Sequence, residues 1–98
     1  MVRPVSFRPL ARDDVDAAVS WYGAKRPTLA LAFAQSLNLV IDRIREAPLQ
    51  FPAVRGEVRW SLLGRFPYGV FFAVRGDAIQ VLAVVHLHRG PDTWKKRE

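Results

Sequence analysis

Ninety-eight residues, half of them apolar and eleven per cent aromatic, suffice for one domain with one packed core and argue against global disorder. The absence of cysteine excludes a disulfide scaffold, a thiol nucleophile and a thiolate zinc site. Fifteen Lys and Arg against nine Asp and Glu give a net charge of +6, concentrated in the second half: residues 43–98 carry ten cations and five anions. Such an excess suits a polyanionic partner, either nucleic acid or an acidic polypeptide.

No stretch reaches the roughly 18 apolar residues of a membrane span, and the opening Met1-Val2-Arg3-Pro4-Val5 lacks the apolar heart of a signal peptide. The expectation is a cytoplasmic protein, a single domain over residues 1–98, with no membrane partner. Residues 2–8 alternate apolar with polar and contain Pro4, which predicts an edge-type strand. Residues 11–24 predict a helix, with Val15, Ala18, Val19 and Tyr22 as its apolar stripe. Asp13, Asp14 and Asp16 are expected in its first turns, at the positive end of the helix dipole. Lys25-Arg26-Pro27 breaks this helix, and a second is predicted from Pro27 or Thr28, in which Leu29, Phe33, Leu37, Val40, Ile41 and Ile44 keep helical spacing until Pro48 ends it. So short a break makes the pair an antiparallel hairpin.

Beyond a loop containing Pro48, Pro52 and Gly56 the period changes to two. Val58, Trp60 and Leu62 alternate with Arg59 and Ser61 as a half-buried strand. Strands over 69–75 and 78–87 flank Gly76-Asp77, a favourable two-residue turn. That turn predicts a register in which Val74 faces Ile79, Phe72 faces Val81, Val70 faces Ala83 and Tyr68 faces Val85, all lining the face under the helices. The opposite face then holds Ala73 with Gln80, Phe71 with Leu82, Gly69 with Val84 and Pro67 with His86. Arg65 approaches His88 there, unless the Phe66-Pro67 turn bends the chain away first. This second face is apolar in its middle and polar at one end, and the polar end is the place to look for a site.

His86 and His88, two apart on a strand, project from one face. Two imidazoles can ligate a metal, but no neighbouring Asp, Glu or Cys completes a set, so neither metal nor cofactor is expected. Arg59 points away from the core face of its strand, into solvent or towards a target. Arg65 precedes Phe66-Pro67-Tyr68, which reads as a turn with two aromatic anchors. Trp21 and Tyr22 close the first helix and read as packing. Trp94, between Pro91 and the basic run Lys95-Lys96-Arg97, either folds back onto the sheet or contacts a partner.

The order strand, helical hairpin, three-stranded antiparallel meander resembles the α+β fold of the RelE/ParE superfamily of bacterial toxins, with the helices on one face of the sheet. The likeness is carried by Asp14-Val15-Asp16 leading to Trp21-Tyr22, by Pro48-Leu49-Gln50-Phe51-Pro52 after the second helix, and by Arg65-Phe66-Pro67-Tyr68. Val70 to Val74, Ile79 to His86, and the closing Arg89, Pro91, Trp94 and Arg97 extend it over the whole chain. The resemblance implies the toxin of a type II toxin–antitoxin (plasmid-stabilisation) module, neutralised by an acidic antitoxin that wraps it. ParE-like members poison DNA gyrase; RelE-like members cut mRNA on the ribosome without metal.

Metal-free RNA cleavage needs a base for the 2′-hydroxyl proton, cations for the developing phosphorane charge and an acid for the leaving oxygen. On the RelE-like branch the resemblance would make His88, Arg65 and Arg59 the catalytic candidates. On either branch Arg59, Arg65, His86, His88, Arg89, Trp94 and Arg97 are the candidate target-binding residues. RelE-like nucleases, however, carry several Lys in the active region and a Tyr near the C-terminus. Here the lysines are Lys25, Lys95 and Lys96, the last Tyr is Tyr68, and Arg89 stands beside His88 where some members have Tyr. The non-enzymatic, gyrase-directed reading therefore leads, with ribosome-dependent endoribonuclease as the alternative. A plain nucleic-acid-binding module comes third, since Phe71 and Leu82 on the second face do not make a stacking signature.

Overall fold

A proline opens each helix. In the computed structural model, which describes residues 3–97, α1 spans Pro9–Lys25 and α2 spans Pro27–Glu46. Proline fits the first helical position because its fixed φ is helical and its missing N–H has no partner there anyway. Arg26 alone separates the helices, held extended while its N–H donates to the Tyr22 carbonyl at 3.0 Å. Because α1 starts two residues earlier than its charge pattern suggests, Asp13, Asp14 and Asp16 lie beyond its first turn. The dipole role expected of them is therefore corrected.

Five strands form one sheet, ordered β1-β5-β4-β3-β2: β1 is Val5–Phe7, β2 Ala53–Arg55, β3 Val58–Leu62, β4 Tyr68–Arg75 and β5 Ala78–His86. β1 lies parallel to β5 at one edge, and the other pairings are antiparallel. Val2, the expected start of β1, lies outside the described residues. The short β2, hidden in what reads as a loop, adds a strand to the predicted meander. Its turn into β3 uses Gly56 at φ +54, as the β4–β5 turn uses Gly76 at φ +65, both left-handed conformations that favour glycine.

Both helices pack on one face of the sheet. Phe33, Leu37, Val40, Ile41 and Ile44 of α2 meet Val70, Phe72, Ile79, Val81 and Val84, and Tyr22 stacks on Phe33 at 5.7 Å between ring centroids. The opposite face is a second core rather than an open surface. There Val58, Phe71, Ala73, Leu82, Ala83 and Val85 are covered by Trp94, carried on a 3-10 turn at Thr93–Arg97. Trp94 lies parallel to the Phe71 ring at 5.2 Å and is 5% exposed. Of the two roles open to Trp94, the fold takes packing.

The predicted register holds only as far as Phe72–Val81. Phe71 pairs with Ala83, which leaves Leu82 as an extra residue in β5, a bulge that shifts all later pairing by one. Val70 therefore faces Val84, and Tyr68 faces His86, not Val85. His86 moves to the helix-side face, and β5 ends there, so His88 lies in the following turn and not on a strand.

The bulge coincides with the end of β1. Phe7 is its last residue paired with β5, and Arg8 N–H closes onto the Val81 carbonyl at 3.0 Å. Beyond it β5 has an open edge, whose polar groups need other partners. The Asp14 carboxylate accepts the Val84 N–H at 2.9 Å, and Arg97 donates to the Leu82 carbonyl at 3.3 Å. Arg97 also grips both oxygens of Asp14. One ion pair thus ties α1, the edge of β5 and the C-terminal turn together.

Arg59 also departs from expectation. It pairs with Phe72, so its side chain lies on the helix side, while Val58 and Trp60 enter the second core. Its guanidinium donates to the carbonyls of Phe51 at 2.6 Å and Leu49 at 3.4 Å, fixing the loop after α2. Arg59→Ala is expected to cost about 1 kcal/mol, a part-exposed charge-assisted bond lost from a surface loop. Urea denaturation measures it, and no change in midpoint would show that the loop holds itself.

Candidate functional site

The residues singled out in the sequence separate into five places. Arg59 is bound to loop carbonyls, and Trp94 lies under the sheet. Arg97 is paired with Asp14 and only 13% of its side chain is exposed. Arg65 is exposed and, with Arg43, borders a cavity of about 420 Å³ between α2 and the end of β3. The exposed Leu39 and Leu62 also line that cavity. His86, His88 and Arg89 remain together, so the expected approach of Arg65 to His88 is replaced by a different cluster.

That cluster stands over a cavity of about 370 Å³ between α1, the end of β5 and the turn that follows. α1 supplies Asp14, two small residues that leave space, Ala17 and Ala18, and Trp21. The sheet supplies Tyr68 and His86, edge to face with centroids 5.3 Å apart. The C-terminal 3-10 turn supplies Thr93, and the turn after β5 supplies Arg89 and Gly90. It is tight: the N–H groups of Arg89 and Gly90 both donate to the His86 carbonyl, and a Cβ on Gly90 would lie 2.9 Å from the Thr93 hydroxyl oxygen.

Trp21 is 46% exposed, unusual for so large a ring. Lys25 Nζ sits 4.7 Å and the Arg89 guanidinium carbon 5.3 Å from its ring centre, both in cation–π range. Arg89 also reaches the Tyr68 hydroxyl. Burial, more than any neighbouring charge, raises the Tyr68 pKa, so the phenol keeps its proton at neutral pH. Burial first, then the charges of Arg89 and His88, lower the His86 pKa, so this imidazole is neutral there. Its Nδ1 accepts the His88 N–H at 3.1 Å, which puts the single ring proton on Nε2. His86 is therefore a donor at Nε2.

Asp14 is the one carboxylate in the lining, and both its oxygens are engaged by Arg97. The site is therefore rich in donors and poor in free acceptors. Among the described residues no three His, Asp or Glu side chains come within range of a common metal ion. Trp21 and Tyr68 line this site, with Lys25 against the Trp21 ring, although the sequence pattern reads the two aromatics as packing. The one available signal was a Trp beside Lys25-Arg26 at a helix end.

The model of the "ParE toxin of type II toxin-antitoxin system, parDE" matches residues 5–90. The fold is similar to a structure described as the chromosomal ParDE toxin–antitoxin system from P. aeruginosa, with a TM-score of 0.75 and 25% sequence identity. The match covers 87% of this chain and 96% of that one. No curated protein matches the sequence. The family match spans both helices and the five strands up to the turn that carries Arg89, so the chain belongs to the ParE toxin family of type II toxin–antitoxin systems.

Proposed function

We propose that this ParE-family protein arrests growth by binding DNA gyrase in the cytoplasm, and that a cognate acidic antitoxin neutralises it. The observation that carries the gyrase reading is the dispersal of the side chains a metal-free nuclease needs. Arg59 is bound into a loop, Arg65 borders another cavity, and only His86, His88 and Arg89 stand together. A cleavage site needs its base, its acid and its charge-stabilising cations around a single phosphate. Among the described residues no helix is long and apolar enough to cross a membrane.

The antitoxin reading is supported by the cavity between α2 and β3. Leu39 and Leu62 are 65% and 56% exposed beside Arg43 and Arg65. An amphipathic segment with acidic flanks fits such an apolar floor with a cationic rim. Leu39→Asp is expected to weaken antitoxin binding about tenfold or more, through an uncompensated carboxylate on the floor. Calorimetry on the purified pair measures this, and unaltered affinity would put the antitoxin elsewhere.

One observation favours ribosome-dependent mRNA cleavage: two imidazoles, His86 and His88, stand together with the Arg89 cation beside them. Two assays on purified protein decide. Inhibited supercoiling with accumulation of cleaved plasmid, and intact mRNA in a translation reaction, is the expected result. Cleavage of mRNA only when ribosomes are present would make the protein an enzyme.

A further inference from the structure

We propose that the cavity between α1 and the end of β5 is a binding site for a phosphate monoester. The inference rests on the geometry of that cavity and is independent of the toxin's target.

Charge comes first. Arg89 and Lys25 flank Trp21, and the only carboxylate in the lining, Asp14, is neutralised by Arg97. Arg89 lines the cavity, Lys25 adds a second positive charge against the Trp21 ring, and among the described residues the lining offers no free carboxylate, which suits a dianion. Donors come next: the Arg89 fork, the Nε2–H of His86 and the Thr93 hydroxyl arrive from the strand end, the turn and the C-terminal segment. Donors from three directions suit a tetrahedral oxyanion with three free oxygens better than a planar carboxylate, and arginine provides two parallel bonds to such a group. Size comes last. A volume of about 370 Å³ is more than a phosphate group fills, and it lies in the range of small-molecule sites. The remaining space runs along Ala17 and the exposed edge of Trp21, where the organic part of an ester would lie.

The Arg89 contacts on Trp21 and Tyr68 hold its guanidinium over the cavity before any ligand arrives. That removes part of the ordering cost of binding.

The test is calorimetric titration of the intact protein with inorganic phosphate and, separately, with a nucleoside 5′-monophosphate, at fixed ionic strength. Saturable 1:1 binding is expected from at least the nucleotide. Arg89→Ala should weaken it about tenfold or more, Arg89→Lys should restore part of the loss, and Arg75→Ala should leave it unchanged. Arg75 is the control because it is exposed at the far end of β4 and paired with Glu57 at 3.7 Å. Arg89 is itself exposed on a turn, and thermal unfolding of each variant without ligand checks its fold. Equal affinity for both ligands would assign recognition to the phosphate alone, and tighter nucleotide binding would add Trp21; either supports the site. Absence of saturable binding by both ligands, or equal weakening by Arg75→Ala and Arg89→Ala, overturns it. Neither result bears on gyrase inhibition, so the two readings fail separately.

Discussion

Asp14→Ala is expected to destabilise the protein by about 3 kcal/mol, the lower end of what breaking a buried ion pair costs. The size follows from what the carboxylate holds. It takes the Val84 N–H at the open edge of β5 and both arms of Arg97, and the side chains of the pair are 16% and 13% exposed. Truncation leaves an amide and a guanidinium desolvated at once. Arg97→Ala is expected to cost less, about 1–2 kcal/mol: its contacts with Asp14 and the Leu82 carbonyl are lost, but the Asp14 carboxylate still accepts the Val84 N–H. Asp14→Asn should fall between, since its carbonyl oxygen can still accept that N–H. Urea denaturation of the three variants and of the double variant gives the coupling between the two residues. If Asp14→Ala cost no more than about 0.5 kcal/mol, the pair would behave as an ordinary surface salt bridge. The C-terminal turn would then be held by Trp94 and by the Arg55 guanidinium on the Lys95 carbonyl.

The same ion pair shows why part of the fold was legible in the sequence and part was not. Helix positions follow from local signals: Pro27, the spacing of Phe33, Leu37, Ile41 and Ile44, and Pro48 give α2 to within a residue or two at each end. The Gly76-Asp77 turn likewise gives the pairing of β4 with β5 through Phe72–Val81. The bulge at Leu82 has no local signature, because Val81 to Val85 is a continuous apolar run in which either register buries apolar side chains. What accompanies the observed register is a contact from α1, some 70 residues earlier in the chain, together with Arg97 near the C-terminus. A one-residue shift exchanges faces, so His86 came out on the wrong side. Tyr68 and Trp21 read as packing on separate grounds, the first as an anchor of the turn before β4 and the second as the close of α1.

The second core has a similar origin. Alternation in β3 identifies Val58, Trp60 and Leu62 as one face, but not which side of the sheet that face is on. Trp94 makes the far side of the sheet a buried one. With that side covered, the polar residues at the end of β5 are left at the margin between α1 and the C-terminal turn. A cavity there depends on Ala17, Ala18 and Gly90 being small, a feature of packing between distant segments. His86, His88 and Arg89 were found because they are adjacent in sequence. Arg65, brought to His88 by the predicted register, and Arg59, expected on the open face of β3, stand apart from them in space.

Leu37→Asp is expected to abolish folding. Leu37 is 6% exposed on the inner face of α2, in the cluster that includes Phe33, Ile41 and Ile44. Removing a buried leucine side chain costs about 2–5 kcal/mol, and placing a carboxylate in an apolar core without a partner adds about as much again, whether it remains charged or is forced to take up a proton. Together these match the whole stability of a domain of this size, about 5–15 kcal/mol. Leu39→Asp, two positions along the same helix and 65% exposed, makes the same chemical change outside the core. It should cost only the difference in helix propensity, a few tenths of a kcal/mol. Far-UV circular dichroism with thermal melts compares the two. A cooperative transition in Leu37→Asp would mean that the inner face of α2 does not carry the core, whereas loss of folding in Leu39→Asp would mean that the outer face is also structural. The predicted pair of outcomes, one variant unfolded and the other native, places the core on one stripe of α2 and leaves the other free to meet a partner.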